Sequence, residues 1–330
     1  MKKHIGIDIG TSNTVIYLKG KGIVLREPSV VAMDNKRVEA VGLEAKRMLG
    51  KTPGSMKTIF PLKNGVIAEF DATGSMLKKF IGKAVGSTLL SRPKALVCIP
   101  YGTTEVERRA FQEVTFAAGA QSLSLVEEPL AAAIGAGIRI EDAHGSMIVN
   151  IGGGKTEVAI ISYGSIVYST SILSGGNELD SAISAYIKKK YNVLVGDVTA
   201  ESLKKDIGSA HPSFDKGVMQ VRGRNLQNGL PAVLNVSSAE IREAMSGVIA
   251  MILKSIKNAL ENAPPEMAAD IYNKGIVLAG GGALIPGISQ TVAEFTGIKT
   301  FVAKNPMDCV AMGLGRIIDS GNDSVTFQPE

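Results

Sequence analysis

The chain has 330 residues, enough for two domains that each bury a core of their own. Hydrophobic residues make up 45% and charged residues 20%, an ordinary globular balance, and the absence of Trp with only 5% aromatics excludes a large aromatic recognition surface. The net charge of +5 fits a plain solvated surface or contact with an anionic membrane; with no basic run interleaved with aromatics, nucleic acid is not expected as a partner.

Strands and Gly or Pro turns open the chain as far as Met33. The first turn lies within the string Ile5-Gly-Ile-Asp-Ile-Gly-Thr-Ser-Asn-Thr14. An apolar run on each side of the glycine predicts a buried hairpin. Residues 34–75 are mixed. A helix is then expected over Ser75–Val85, a strand over Ala95–Pro100, a helix over Thr104–Ala118, a short strand over Leu123–Val126 and a helix from near Pro129. Pro suits a first helical turn, where its missing N–H costs nothing. This alternation predicts an α/β domain with partly parallel strands.

The opening hairpin then returns as Met147-Ile-Val-Asn-Ile-Gly-Gly-Gly-Lys-Thr156. Asp8 of the first copy is Asn150 in the second. Helices are expected over Glu178–Tyr191 and Thr199–Gly208. Ser237-Ser-Ala-Glu240 has the spacing of a capping box, and Ile241, Met245, Val248, Ile252, Ile256 and Leu260 follow at helical spacing. Pro264-Pro265 ends that helix. A strand over Gly275–Ala279 runs into Gly280-Gly-Gly-Ala-Leu284, and another helix follows. The fold class expected is α/β: two homologous halves, each with an inserted subdomain, and a ligand cleft between them.

Several residues in these turns have chemical potential. Gly10-Thr11-Ser12-Asn13 offers backbone N–H groups and two hydroxyls, the makings of an anion nest, and Asp8 before it could hold Mg²⁺. A plain hairpin with a turn-satisfying Asp would look the same. Gly152-Gly153-Gly154 clears the second turn of side chains, so a phosphate can approach the backbone, and Lys155 can meet it as a point charge or face solvent. Glu128, at a helix start, suits either dipole compensation or the orientation of an attacking water. Cys98 and Cys309 lie in apolar strings and read as core residues, and His4, His144 and His211 are far apart, so a zinc site is not expected. No apolar run approaches the roughly 20 residues needed to cross a bilayer. The first strand begins too early for a signal peptide, which predicts a cytoplasmic protein.

Together these motifs resemble the superfamily of actin, sugar kinases and heat-shock chaperone ATPases, and within it the MreB family of bacterial actins. The resemblance rests on Gly6–Thr14, Lys19–Val30, Asn64–Ala68, Cys98–Pro100 with Thr104–Arg109, Glu127–Ala136, Val221–Arg224, Glu240–Ala244 and Leu278–Leu284, and runs essentially end to end. It implies an actin-like fold: subdomain IA at 1–32, 66–144 and 314–330, IB at 33–65, IIA at 145–180 and 250–313, and IIB at 181–249. It implies ATP or ADP with Mg²⁺ as cofactors. Thr11, Ser12 and Asn13 would line one phosphate loop and Gly152, Gly153 and Gly154 the other. Glu201 and Lys204 would meet ribose and adenine, Gly281, Gly282, Ala283 and Leu284 the adenine side, and Glu128 the hydrolytic water. The chain departs from the family where Asp is usual at Asn150 and Thr at Lys155. An amide should weaken metal binding, while Lys155 could meet phosphate or pair with Glu128 and take it out of service; slow or absent hydrolysis is therefore expected.

The resemblance further implies antiparallel double filaments on the inner face of the cell membrane, with paralogues and cell-shape membrane proteins as further partners. Leu89 and Leu90, beside Arg92 and Lys94, are expected either as a membrane loop or packed back on the domain. A small-molecule kinase of the same fold is the alternative reading; no sugar-binding cluster is apparent. A chaperone would need a further domain.

Overall fold

The computed structural model describes residues 3–35, 37–86 and 92–321. The expected membrane loop at Leu89 and Leu90 lies outside the described residues.

The first half contains strands β1 (His4–Ile9), β2 (Asn13–Leu18), β3 (Gly22–Pro28), β4 (Val31–Asp34) and β5 (Arg37–Val41), then helix α1 (Leu43–Arg47). It continues with β6 (Met56–Ile59), β7 (Leu62–Lys63), β8 (Val66–Ile67), α2 (Phe70–Val85), β9 (Lys94–Ile99), α3 (Glu105–Ala117), β10 (Ser122–Glu127) and α4 (Glu128–Ala136). The second half runs β11 (Ser146–Ile151), β12 (Thr156–Ser162), β13 (Ser165–Ile172), α5 (Gly176–Tyr191), β14 (Val193–Leu194) and α6 (Asp197–Ile207). Then come β15 (Val218–Asn225), β16 (Pro231–Ser237), α7 (Ser238–Glu261), α8 (Pro265–Lys274), β17 (Ile276–Ala279), α9 (Ile288–Thr296), β18 (Thr300–Val302) and α10 (Cys309–Ser320).

Two five-stranded sheets share one topology. In the first the order is β10-β9-β1-β2-β3, in the second β18-β17-β11-β12-β13. Each begins with an antiparallel meander of three strands; one parallel strand then joins the first member of that meander, and a second parallel strand joins that added strand. The duplicated hairpin is thus the visible part of a duplicated half. Each half also carries a smaller three-stranded sheet, β5-β4-β6 in the first and β14-β15-β16 in the second.

Alternation along the strands explains the layering. Ala95, Val97 and Ile99 of β9 enter a core with α2 and α3, whereas Leu96 and Cys98 point the other way, into a core with α4 and α10. Met147, Val149 and Ile151 of β11 face α5 and α7, while Ile148 faces α4 and α10. Helices therefore cover both faces of both sheets, and every residue of β11 and β12 is buried. At the centre α4 and α10 cross with backbones nearly touching. A Cβ on Gly135 would fall 1.7 Å from the carbonyl oxygen of Cys309, and one on Gly313 1.8 Å from that of Ala131.

The capping box opens α7: Ser237 accepts from the Glu240 N–H, and the Glu240 carboxylate accepts from Ser237 N at 2.8 Å. One expectation needs correction: the helix expected from Ser75 begins at Phe70. The long helix α7 ends before Pro264-Pro265 as expected, and Pro265 also starts α8, which was not expected, since a proline that ends one helix suits the first position of the next.

Candidate functional site

The two duplicated hairpins turn in the same way. Gly10 donates its N–H to the carbonyl of Asn13 at 3.1 Å, and Gly152 donates to that of Lys155 at 2.9 Å. Their tips meet across the cleft between the halves. A Cβ on Gly153 would lie 1.9 Å from Ser12 Oγ, and one on Gly154 2.9 Å from Thr11 Oγ1, so bare glycine lets the turns touch. Thr11 Oγ1 accepts from Gly65 N at 2.8 Å, out of the tight Asn64-Gly65 turn joining β7 to β8. Asn64 and Gly65 have φ of 54° and 84°, the left-handed values of a type I′ hairpin turn. Ser12 Oγ donates to Asn177 Oδ1 at 3.2 Å, in the first turn of α5.

Between the halves lies a cavity of about 670 Å³, within the range of small-molecule sites. Asp8, Thr11, Ser12 and Asn13 line it from the first hairpin, and Gly152, Gly153, Gly154 and Lys155 from the second. Glu128, Asn150, Glu201, Lys204, Gly281, Gly282 and Leu284 also reach its wall. Ala283 does not: it is buried in the core of the second half. Every other site residue expected from sequence among the described residues is brought to this one space.

At the floor two carboxylates hold one ammonium. Lys155 Nζ is 2.9 Å from Glu128 Oε2 and 2.9 Å from Glu157 Oε1, ion-pair contacts that are not aligned as hydrogen bonds. Of the two alternatives for Lys155, the structure has the pairing with Glu128. Asn150 Nδ2 donates to the other oxygen of that carboxylate, Glu128 Oε1, at 2.8 Å. Burial lowers the pKa of Lys155, but Glu128 and Glu157 outweigh it and hold the ammonium above its ordinary range. Glu157 was not expected in the site. It accepts from Tyr101 N at 3.1 Å, and its Oε2 is buried without a hydrogen-bond partner. Burial and the charge of Glu128 push its carboxyl up, against the pull of Lys155. The signal was present in the sequence: a charge within a strand buried on both faces needs a partner, and Lys155 stands two positions before it.

Asp8 opens on the cavity and touches the Cys98 thiol, whose Sγ is 3.4 Å from Oδ1. Burial, with the charge of Glu128 added, pushes Asp8 up to about 7. Among the described residues, no group of three or more His, Cys, Asp or Glu is placed to hold a metal alone. The floor nonetheless suits Mg²⁺ arriving with a polyphosphate. Mg²⁺ sites of that kind need only one or two protein carboxylates, and Asp8 is the floor carboxylate not engaged by Lys155.

On the opposite wall, Lys204 Nζ is held by Asp180 Oδ2 at 2.8 Å and the Gly176 carbonyl at 2.7 Å. Burial raises the pKa of Asp180 and Lys204 opposes that rise. Glu201 meets Lys46 and Lys205. Burial would raise its pKa, but the two ammoniums prevail and bring it down to about 2. Neither Asp180 nor Lys46 was expected from sequence; both contacts join residues far apart in the chain.

Residues 2–325 match the family described as MreB/Mbl protein. The chain belongs to the MreB/Mbl family. It is 49% identical over 323 residues to the cell shape-determining protein MreB of Escherichia coli (strain K12), covering 96% of this chain and 93% of that one. The crystal structure of MreB 5 of Spiroplasma citri bound to AMPPNP superposes with a TM-score of 0.92 at 38% identity, over 98% of this chain and 99% of the other. The ADP-bound structure of that MreB 5 gives 0.93 at 38% identity, over 98% of each chain. The actin-like fold expected from sequence is therefore the fold of this MreB/Mbl chain.

Proposed function

We propose that the chain is an adenine-nucleotide-binding bacterial actin that forms membrane-associated filaments, shapes the cell and hydrolyses ATP slowly or not at all. The nucleotide part rests on the paired glycine turns and their cavity, and on the AMPPNP- and ADP-bound MreB 5 of Spiroplasma citri. The cell-shape part rests on relatives such as the Escherichia coli MreB. In this proposal the filaments are antiparallel double protofilaments on the inner face of the membrane, with Leu89 and Leu90 as the lipid contact. The outer segments 33–65 and 181–249 act as the two jaws of the cleft.

The observation that carries the slow-hydrolysis reading is the double occupation of Glu128. A carboxylate's strength as an acceptor for water falls when a cation sits on it and its orientation is fixed by other donors. Here Asn150 donates to one oxygen and Lys155 pairs with the other. Thr11, Ser12 and the bare backbone at Gly152–Gly154 hold the phosphates. Lys155 supplies positive charge near them but, anchored by Glu157, does not orient a nucleophile. Mg²⁺, when bound, would be held by Asp8 and would neutralise phosphate charge.

The test is phosphate release from ATP under polymerising conditions, with electron microscopy of the same samples. The wild-type chain should form filaments with little release. Asn150→Asp combined with Lys155→Thr should raise the rate by roughly 10²–10³-fold, the usual weight of one positioned electrostatic group. Equal rates in the two proteins would refute the assignment of Glu128.

A further inference from the structure

The halves also touch at the outer edge of the cavity, away from the floor. Lys46 stands on α1, beside the small sheet of the first half, and Glu201 on α6 of the second. Lys46 Nζ reaches both carboxylate oxygens, at 3.0 Å and 2.8 Å. The two side chains are 31% and 26% exposed, so the pair faces water, whereas Lys155 on the floor is only 8% exposed. Lys205, one turn along α6, holds the same carboxylate from within the second half.

We infer that Lys46 is a latch residue: through Glu201 it closes the mouth of the cavity over the nucleotide and sets how fast the nucleotide leaves. The inference rests on the nucleotide reading above and concerns regulation of that site. The halves cannot part at the mouth without breaking Lys46 from Glu201, because the two residues belong to opposite sides. Lys205 stays with Glu201 when they do, so the carboxylate remains ionised and in place for the next closure. Glu201 keeps acceptor positions beyond those taken by ammonium, since a carboxylate offers about four. It can thus hold the latch and accept from a ribose hydroxyl together. Lys46 is a positioning residue, acting on the ligand through Glu201.

The experiment is release of a fluorescent ADP from the full chain, chased with excess unlabelled ADP. Lys46→Met should speed release roughly 3–5-fold, the upper weight of a partly exposed ion pair. Lys46→Arg, which keeps the charge and reach, should stay within about twofold of wild type. Added salt should speed wild-type release and narrow its gap to Lys46→Met, since screening weakens the pair and the Met variant has none. A purely structural role for Lys46 would not give that salt-dependent gap. Release from Lys46→Met at the wild-type rate, or from Lys46→Arg as fast as from Lys46→Met, overturns the latch. Failure of the wild-type chain to bind the fluorescent ADP overturns the nucleotide reading instead, and the latch with it.

Discussion

At Asp8, burial under the cavity and the charge of Glu128 move the carboxyl from an ordinary 3.8 up to about 7. The folded chain therefore holds a proton there that the unfolded chain has lost between those two values. The resulting stabilisation is complete below pH 3.8 and is lost as the pH rises through about 7. In urea unfolding without nucleotide, the wild-type midpoint should fall from pH 5 to pH 8, and Asp8→Asn should flatten that fall. Glu157, also pushed up, leaves a residual slope of the same sign. An identical pH slope in Asp8→Asn and wild type would contradict the placement of Asp8. Much of this floor was legible in the sequence, because Asp8, Asn150 and Lys155 stand in a repeated motif and Glu128 stands before a proline at a helix start. Glu157 was passed over in an apolar run whose pattern points to strand and core, although its charge there was a signal. Lys46 lies on a helix of five residues in a segment of mixed composition, and no local pattern predicts a partner so distant in the chain.

Helices α4 and α10 meet where Gly135 and Gly313 leave no space for even a methyl group. Gly313→Ala would drive a Cβ against the backbone of Ala131, which cannot rotate aside as a side chain can. The expected cost is about 2–3 kcal/mol in urea unfolding, within the usual range for overpacking; an unchanged midpoint would mean that the helices can part freely. At α7 the capping box gives a milder expectation. Ser237→Ala removes the acceptor for the Glu240 N–H and should cost about 1 kcal/mol by the same measurement. A loss indistinguishable from zero would show that Glu240 caps without it. The α7 cap was readable because its residues are local and its spacing is fixed. Helix α8 was missed for a local reason too: the proline pair carries a stop and a start, and only the stop was read. The crossing of α4 and α10 was not readable, since a glycine in a helix has the same local appearance whether it faces solvent or another backbone.

The whole molecule is two copies of one sheet plan packed on a shared helical layer. The repeated hairpin made the duplication legible, but not which turn tips would meet, because that depends on the packing of the halves. A ligand that touches both halves should stabilise them together. At about 100 times its dissociation constant, ADP should add about 2.7 kcal/mol to the folded state and move the thermal transition upward as one step. A shift of one half alone, seen as two separated transitions, would argue against a shared site. The near-contact of backbones at Gly135 and Gly313 has a mechanical consequence. It acts as a rivet close to the cavity floor, where Glu128 begins α4 and Val310 of α10 forms part of the wall. Rotation about a rivet moves nearby parts little and distant parts much. Glu128 and Val310 belong to the riveted helices themselves, whereas Lys46 on α1 and Glu201 on α6 do not, so a turn about this point would displace the latch more than the floor.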